Sequence, residues 1–330
     1  MEYRNLGMTG LNVSRLIFGG AHIGNVLDES ATRRLVHAAW DIGINTFYAA
    51  DMHDAGNAQK IIGAILKERR ADVVIMTKLG YPASTSSRPP NGGGLPEPHG
   101  LSKGHLVRVL EASLTRLQTD YVDVCSVSFW DSETPIEETL EALDQFIRDG
   151  KVRYIGCSGF AAWQLYRALW VSDVNGLAPL RSFQSELNIL NRFPEREQLP
   201  ACKAGGVGFL AFNSLCGNLL TGRGDLRTLS HMAGPMRQMH LDEYASSENL
   251  ERIQRLKRLA ADSDRNPGEL AQGWVLSKDA VTALLIGPNE PDEFGPTINA
   301  VDHPLSDDEL RAVEEIAVKA PPSGMSRSPR

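Results

Sequence analysis

The sequence predicts an α/β protein folded as a (β/α)8 TIM barrel, with an N-terminal β-hairpin and an extra C-terminal helix. Three observations predict it. A short apolar run followed by a stretch with helical spacing recurs about eight times along the chain. The runs are nearly all apolar, which means burial on both faces and hence a parallel sheet. Composition does not break anywhere between the first unit and the last, so residues 1–320 read as one domain and 321–330 as a flexible Pro/Ser/Arg tail. The competing doubly wound open sheet would want a GxGxxG turn after its first strand. Gly19-Gly20-Ala21-His22-Ile23-Gly24 lacks that spacing.

Each element has a local reason. Residues 1–16 form a hairpin that turns at Met8-Thr9-Gly10, and 16–18 form an apolar strand ending in two glycines. Ser30 is placed to cap a helix over 30–41, with Leu35, Ala38 and Ala39 on one face. A strand over 44–50, a helix over 56–67 and a strand over 73–78 follow. Residues 79–100 are rich in Pro, Ser and Gly and form a long loop. Ser102 opens a helix to 117, and 121–127 is a strand. Pro135 stands at the first position of a helix to 149. Strands at 152–157, 180–184 and 207–212 alternate with helices at 161–171 and 194–204. A second long loop spans 221–246. Helices at 247–262 and 267–276, a strand at 281–286 and an amphipathic helix at 306–320 complete the series.

With 330 residues, 42% of them hydrophobic, the chain can bury one large core. Lys and Arg total 34 against 41 Asp and Glu, a net charge of −7 that gives no footprint for nucleic acid or anionic lipid. Cys125, Cys157, Cys202 and Cys216 have no paired spacing and read as reduced core thiols. No apolar segment follows a basic start, and no run approaches the roughly 20 apolar residues of a membrane span. A cytoplasmic protein acting on a small molecule, with no nucleic-acid or membrane partner, is therefore expected. Oligomeric state is not encoded. No zinc spacing or nucleophile triad is present, and no metal is expected.

In a barrel, chemistry belongs at the C-terminal ends of the strands. The pattern places residues 19–22, 48–53, 78, 127–130, 157–159, 184–188, 212–217 and 287–290 there. The stretches YRNLGMTGLNVS (3–14), NTFYAADMH (45–53), TPIEETLEAL (134–143), GKVRYIG (150–156) and LLTG (219–222) occur in the order of, and resemble, those of the aldo-keto reductase family. The resemblance covers nearly the whole chain. It implies a (β/α)8 barrel and metal-free hydride transfer between NADPH and a carbonyl.

The family's chemistry rests on a Tyr acid, a Lys and an Asp that tune it, and a His that orients the carbonyl. By the resemblance the Asp position is Tyr48, the Tyr position His53, the Lys position Lys78 and the His position Ser128, so one of four is kept. Asp51 is expected to turn away from Tyr48, leaving Lys78 without a carboxylate and easier to deprotonate. Lys78 then serves as a base or as partner of the Tyr48 hydroxyl, and His53 as the acid, because imidazole titrates near neutrality. His22 faces the same pocket, and Ser128 offers a hydrogen bond. Phe129 and Trp130 shape a substrate wall. Structural roles compete: Tyr48 as filler of a vacated volume, Ser128 as a passive replacement, His53 as a rim residue.

For the cofactor, the resemblance implies Ser158, Gln184 and Phe212 around a nicotinamide, with Gly159 in place of an Asn. It also implies backbone donors from Asn213, Leu215 and Gly217 at the pyrophosphate. Asn289 and Glu290 stand where the family has bases for a 2′-phosphate, and Glu293 and Thr297 stand near the adenine. A carboxylate beside a phosphate is repulsive, and Pro296 is expected to interrupt the local helix. Arg223 or Arg227 could compensate. NADP, NAD or no dinucleotide are all compatible with this end of the site. The leading functional expectation is NAD(P)(H)-linked oxidoreduction of a carbonyl or hydroxyl on a small polar substrate, a sugar or natural product, through a rewired proton-transfer site. A redox-silent lyase, dehydratase, isomerase or cyclase and a non-catalytic cofactor sensor or subunit are the alternatives.

Overall fold

The computed structural model describes residues 1–80, 100–222, 244 and 246–319. Strands β3 (Leu16–Gly19), β4 (Thr46–Tyr48), β5 (Val74–Leu79), β6 (Val122–Val127), β7 (Val152–Ser158), β8 (Leu180–Glu186), β9 (Gly208–Phe212) and β10 (Val281–Ile286) close into a parallel barrel, with β10 paired to β3. A separate antiparallel hairpin, β1 (Tyr3–Asn5) and β2 (Asn12–Ser14), precedes it. The expected fold class is thus the observed one. The long loops and the tail read from the sequence, with Arg223 and Arg227, lie mostly or wholly outside the described residues.

Two apolar clusters explain the closure. The larger lies between the strands and the surrounding helices and includes Phe18, Phe47, Phe183, Phe209 and Trp274. The smaller fills the barrel lumen with Ile17, Tyr48, Ala50, Val74, Met76, Val124, Leu210 and Ala283, and Leu6 and Val13 of the hairpin join it. Because side chains alternate across a strand, one apolar run supplies both layers. At the β3–β10 seam, buried Arg15 donates to the carbonyls of Val281 and Thr282 at 2.6 and 2.8 Å, and to Leu276 at 2.8 Å.

Among the described residues the helices are α1 (Glu29–Asp41), α2 (Asn57–Leu66), α3 (Lys103–Leu117), α4 (Ile136–Arg148), α5 (Ala162–Asn175), α6 (Phe193–Arg196), α7 (Gln198–Gly205), α8 (Ser247–Asp262), α9 (Pro267–Leu276), α10 (Phe294–Asp302) and α11 (Asp307–Ile316). Several expectations are corrected. Asp28, not Ser30, caps α1 by accepting the Ala31 N–H at 2.7 Å. Pro135 stands just before α4 rather than at its first position. The single helix expected over 194–204 breaks at Glu197, whose φ of −138° is not helical. Pro296 does not interrupt a helix. It sits in the first turn of α10, where the missing N–H would have had no helical partner anyway. All four cysteines are buried and free.

Candidate active site

The C-terminal barrel mouth is built from the ends of β3, β4, β5, β7, β8 and β9. Tyr48 ends β4 with its ring in the lumen cluster. The chain then turns so that the His53 ring meets the Tyr48 ring edge-on, centroids 5.4 Å apart and planes at 83°. Gly20 at the end of β3 makes room for this turn. A Cβ there would stand 2.9 Å from the Tyr48 carbonyl oxygen and 3.4 Å from His53 Nδ1. Just beyond, Asp54 and Ala55 adopt left-handed backbone at φ 45° and 50°, a conformation that side chains other than glycine rarely hold. Lys78 projects from β5, its Nζ 6.0 Å from the Tyr48 ring centre.

The protonation states follow from burial and neighbours. His53 Nδ1 accepts the Ala50 N–H at 3.2 Å, which puts the proton of the neutral ring on Nε2. Burial first, then the charges of Lys78 and His22, push His53 down to about 4. It is therefore neutral at pH 7. Burial pushes the Lys78 ammonium down to about 8, opposed by the Asp51 carboxylate. Burial first, and next the charge of Asp51, raise the Tyr48 phenol far above its usual range; the Gln184 carboxamide acts in the other direction. Asp51 is raised to about 6 by burial, against the Met52 N–H and the charges of Arg116 and Lys78. Among the described residues no ion pair within 4 Å joins Lys78 to Asp51; the Asp51 carboxylate acts on Lys78 as a more distant charge, and acts also on Arg116 and Cys125.

The remaining expected residues divide. Ser128 Oγ donates to the Leu79 carbonyl at 2.9 Å, so its proton is engaged. His22 does reach the mouth: its Nδ1 is 2.9 Å from Asn289 Oδ1, and its charge acts on His53. Trp130 packs edge-on against Phe160 at 5.4 Å and against Trp163 at 5.5 Å, while Phe129 is half-buried beside it. Ser158 lies opposite Gln184 in the β7–β8 ladder, both buried. Phe212 ends β9 half-buried, and Gly159 holds φ 67° with only the Ser128 carbonyl oxygen near its vacant Cβ position.

The turn after β9 is tied down from within. Asn213 carbonyl and Oδ1 accept the N–H groups of Cys216 and Gly217, at 3.1 and 2.8 Å, and Leu215 accepts from Leu220. Asn213 and Asn188 donate to the half-buried Glu186, as does Tyr244. Of the N–H groups expected to meet a pyrophosphate, that of Gly217 is therefore already engaged. At the adenine end Glu293 accepts the Asn289 N–H at 2.8 Å, and residues 287–297 hold no base. Asp51, Arg116 and Glu186 were not foreseen as site residues. Asp51 stood inside the motif. Arg116 carried no signal, because it meets Gln59 (2.7 Å) only through the packing of α3 on α2.

No helix among the described residues is long and apolar enough to cross a membrane. The model of the aldo/keto reductase family matches residues 15–318. An uncharacterized oxidoreductase, YrpG, of Bacillus subtilis is 34% identical over 96% of both chains. Versiconal hemiacetal acetate reductase of Aspergillus parasiticus is 31% identical over 96% of this chain and 93% of its own. A probable voltage-gated potassium channel subunit beta of rice, Oryza sativa, is 32% identical over 92% of each. Matched almost end to end and folded as a closed parallel barrel with its N-terminal hairpin, the chain belongs to the aldo/keto reductase family of oxidoreductases.

Proposed function

We propose that the protein interconverts a carbonyl and an alcohol on a small polar substrate, using a nicotinamide dinucleotide, with Lys78 rather than a tyrosine as the proton donor. The observation that carries this reading is one group of side chains at the lumen mouth. Lys78 titrates at about 8, beside the neutral His53 and the buried hydroxyl of Tyr48, which has no well-formed hydrogen bond. A proton donor works best with a pKa near the working pH. Tyr48 is held too far above that range to ionise, and His53 too far below it to be charged.

The half-buried Phe212 face and the buried Ser158–Gln184 pair fit a nicotinamide, as the resemblance implied. When bound, the dinucleotide supplies or accepts the hydride at the substrate carbon. His53 donates a hydrogen bond from Nε2 to the substrate oxygen and orients it. Lys78 gives a proton to that oxygen in reduction and takes it back in oxidation. Phe129 and Trp130 exclude water from one side. Because residues 287–297 offer carboxylates and no cation, NADH is favoured over NADPH.

The test is a fluorescence titration with NADH and NADPH, followed by a carbonyl screen with the tighter cofactor. Saturable binding, at least about tenfold tighter for NADH, and a kcat reduced at least about 100-fold in Lys78→Met are expected. Turnover that survives removal of all dinucleotide would overturn this reading in favour of redox-silent acid–base chemistry. Tight binding with no carbonyl turned over would favour a sensor or subunit.

A further inference from the structure

We propose that a cavity at the N-terminal end of the barrel, opposite the mouth, is a second binding site, and that it takes a small organic anion with one carboxylate on a compact apolar body. The inference goes beyond the reductase reading and does not depend on it. The cavity has a volume of about 610 Å³, within the range of small-molecule sites. Its walls are the hairpin turn at Gly10 and Leu11, Ile147 at the end of α4, and Val152, Arg153 and Tyr154 at the start of β7. Leu11 and Tyr154 also pack on the lumen cluster, so the apolar floor is the underside of the core. The hairpin wall is tied in place. Thr9 Oγ1 donates to the Leu6 carbonyl at 2.9 Å and accepts the Leu11 N–H at 3.1 Å, and the Met8 N–H donates to the Gly206 carbonyl at 2.8 Å. A preformed wall spares a ligand the cost of ordering it.

The charge comes from Arg153. Its guanidinium lies 4.4 Å from the Tyr121 ring centre, and that of Arg70 lies 3.8 Å from the same centre. Asp123 serves both cations but unequally. It accepts from Arg70 at 2.8 Å and from the Ile75 N–H at 2.9 Å, while Arg153 Nε stands 3.5 Å from its other oxygen. Two cations thus share one carboxylate, and Arg153 makes no hydrogen bond among the described residues. Nearby charges are spent on each other: Arg148 pairs with Asp144, Lys151 with Glu111, and Asp149 accepts from Gln145 at 2.6 Å. Arg153 is left as a fixed cation with free N–H donors beside an apolar wall, and a planar guanidinium matches a carboxylate. Two glycines keep the cavity open. Gly150 closes α4 at φ 72°, where the backbone favours glycine. Gly10 has no such demand, and a Cβ there would meet nothing within 4 Å. A purely structural account makes Arg153 a cover for Asp123 and the cavity a notch beside the hairpin. That account leaves the guanidinium N–H groups and the apolar wall without a partner.

The experiment uses 2-naphthoate as the probe and the full chain labelled with ¹⁵N at arginine. The Arg153 Nε–H resonance, identified by its loss in Arg153→Gln, is followed by NMR, and binding is followed by naphthoate fluorescence. Saturable binding with a dissociation constant below about 1 mM, together with a shift of the Arg153 resonance, is expected. Naphthalene-2-carboxamide, the same body without the charge, should bind at least about tenfold more weakly, and so should 2-naphthoate to Arg153→Gln. Gly10→Leu should weaken binding as much by filling the space, with its thermal midpoint within about 2 °C of the parent. No saturation would overturn the proposal. Saturation that leaves the Arg153 resonance in place would overturn it too and would put the probe elsewhere, such as the mouth. Undiminished affinity in Arg153→Gln or in a folded Gly10→Leu would do the same. If Gly10→Leu fails to fold, Arg153→Gln and the resonance shift decide the question.

Discussion

A buried ammonium costs stability for as long as it is charged. Lys78 titrates at about 8 in the fold against 10.5 in the unfolded chain. A folded value below the unfolded one means that the unfolded state binds more protons between those limits, so stability rises with pH across that window. The cost is complete below pH 8 and gone above about 10.5. Lys78→Met should therefore unfold later in urea than the parent at pH 7, by about 2 kcal/mol, and show little advantage near pH 10.5. Equal stabilisation at both pH values would mean that packing, not charge, is responsible. The site residues were legible only as a frame. The motif spacing located positions 48, 53, 78 and 128, but residue type misled about roles. A histidine suggests an acid until burial beside Lys78 and His22 is known, and Ser128 suggests a donor until its proton is found on the Leu79 carbonyl. A pKa depends on desolvation and on neighbours distant in sequence, and neither is written locally.

Among elements, helix starts repay local reading when a single side chain decides them. Asn266 and Ser306 cap α9 and α11 with reciprocal glutamates at Glu269 and Glu309, and both helices begin where the sequence suggested. The start of α1 was misplaced because Asp28 and Ser30 are both competent caps, and only the extended backbone at Asp28 (ψ 176°) lets its carboxylate meet the Ala31 N–H. Asp28→Ala should destabilise the protein by about 1 kcal/mol, while Ser30→Ala should be near neutral, by thermal unfolding of the two variants. Helix α10 was expected to be interrupted because Gly295 and Pro296 look like breakers, yet it runs unbroken from Phe294 to Asp302. Packing against α9, including the Asn299 to Glu269 hydrogen bond of 2.8 Å, holds the short segment helical.

On the scale of the whole molecule, closure depends on a few long-range polar contacts laid over a non-specific apolar drive. Arg15→Met should leave the carbonyls of Thr282 and Leu276 buried without their donor, and should lower stability by about 3–5 kcal/mol in equilibrium unfolding. A loss under about 1 kcal/mol would show that water reaches the seam. The sequence by itself determined the architecture, since apolar strands buried on both faces and separated by amphipathic helices have few ways to close. It also determined the family and the strand ends at which chemistry gathers. Only the tertiary structure decided that burial lowers the Lys78 ammonium, that His53 is neutral, and that Asn289 and Glu293 bind within the fold. Periodicity is a property of neighbouring residues and survives in one dimension. Dielectric, charge pairing and hydrogen-bond competition come from residues that meet only after the barrel has closed.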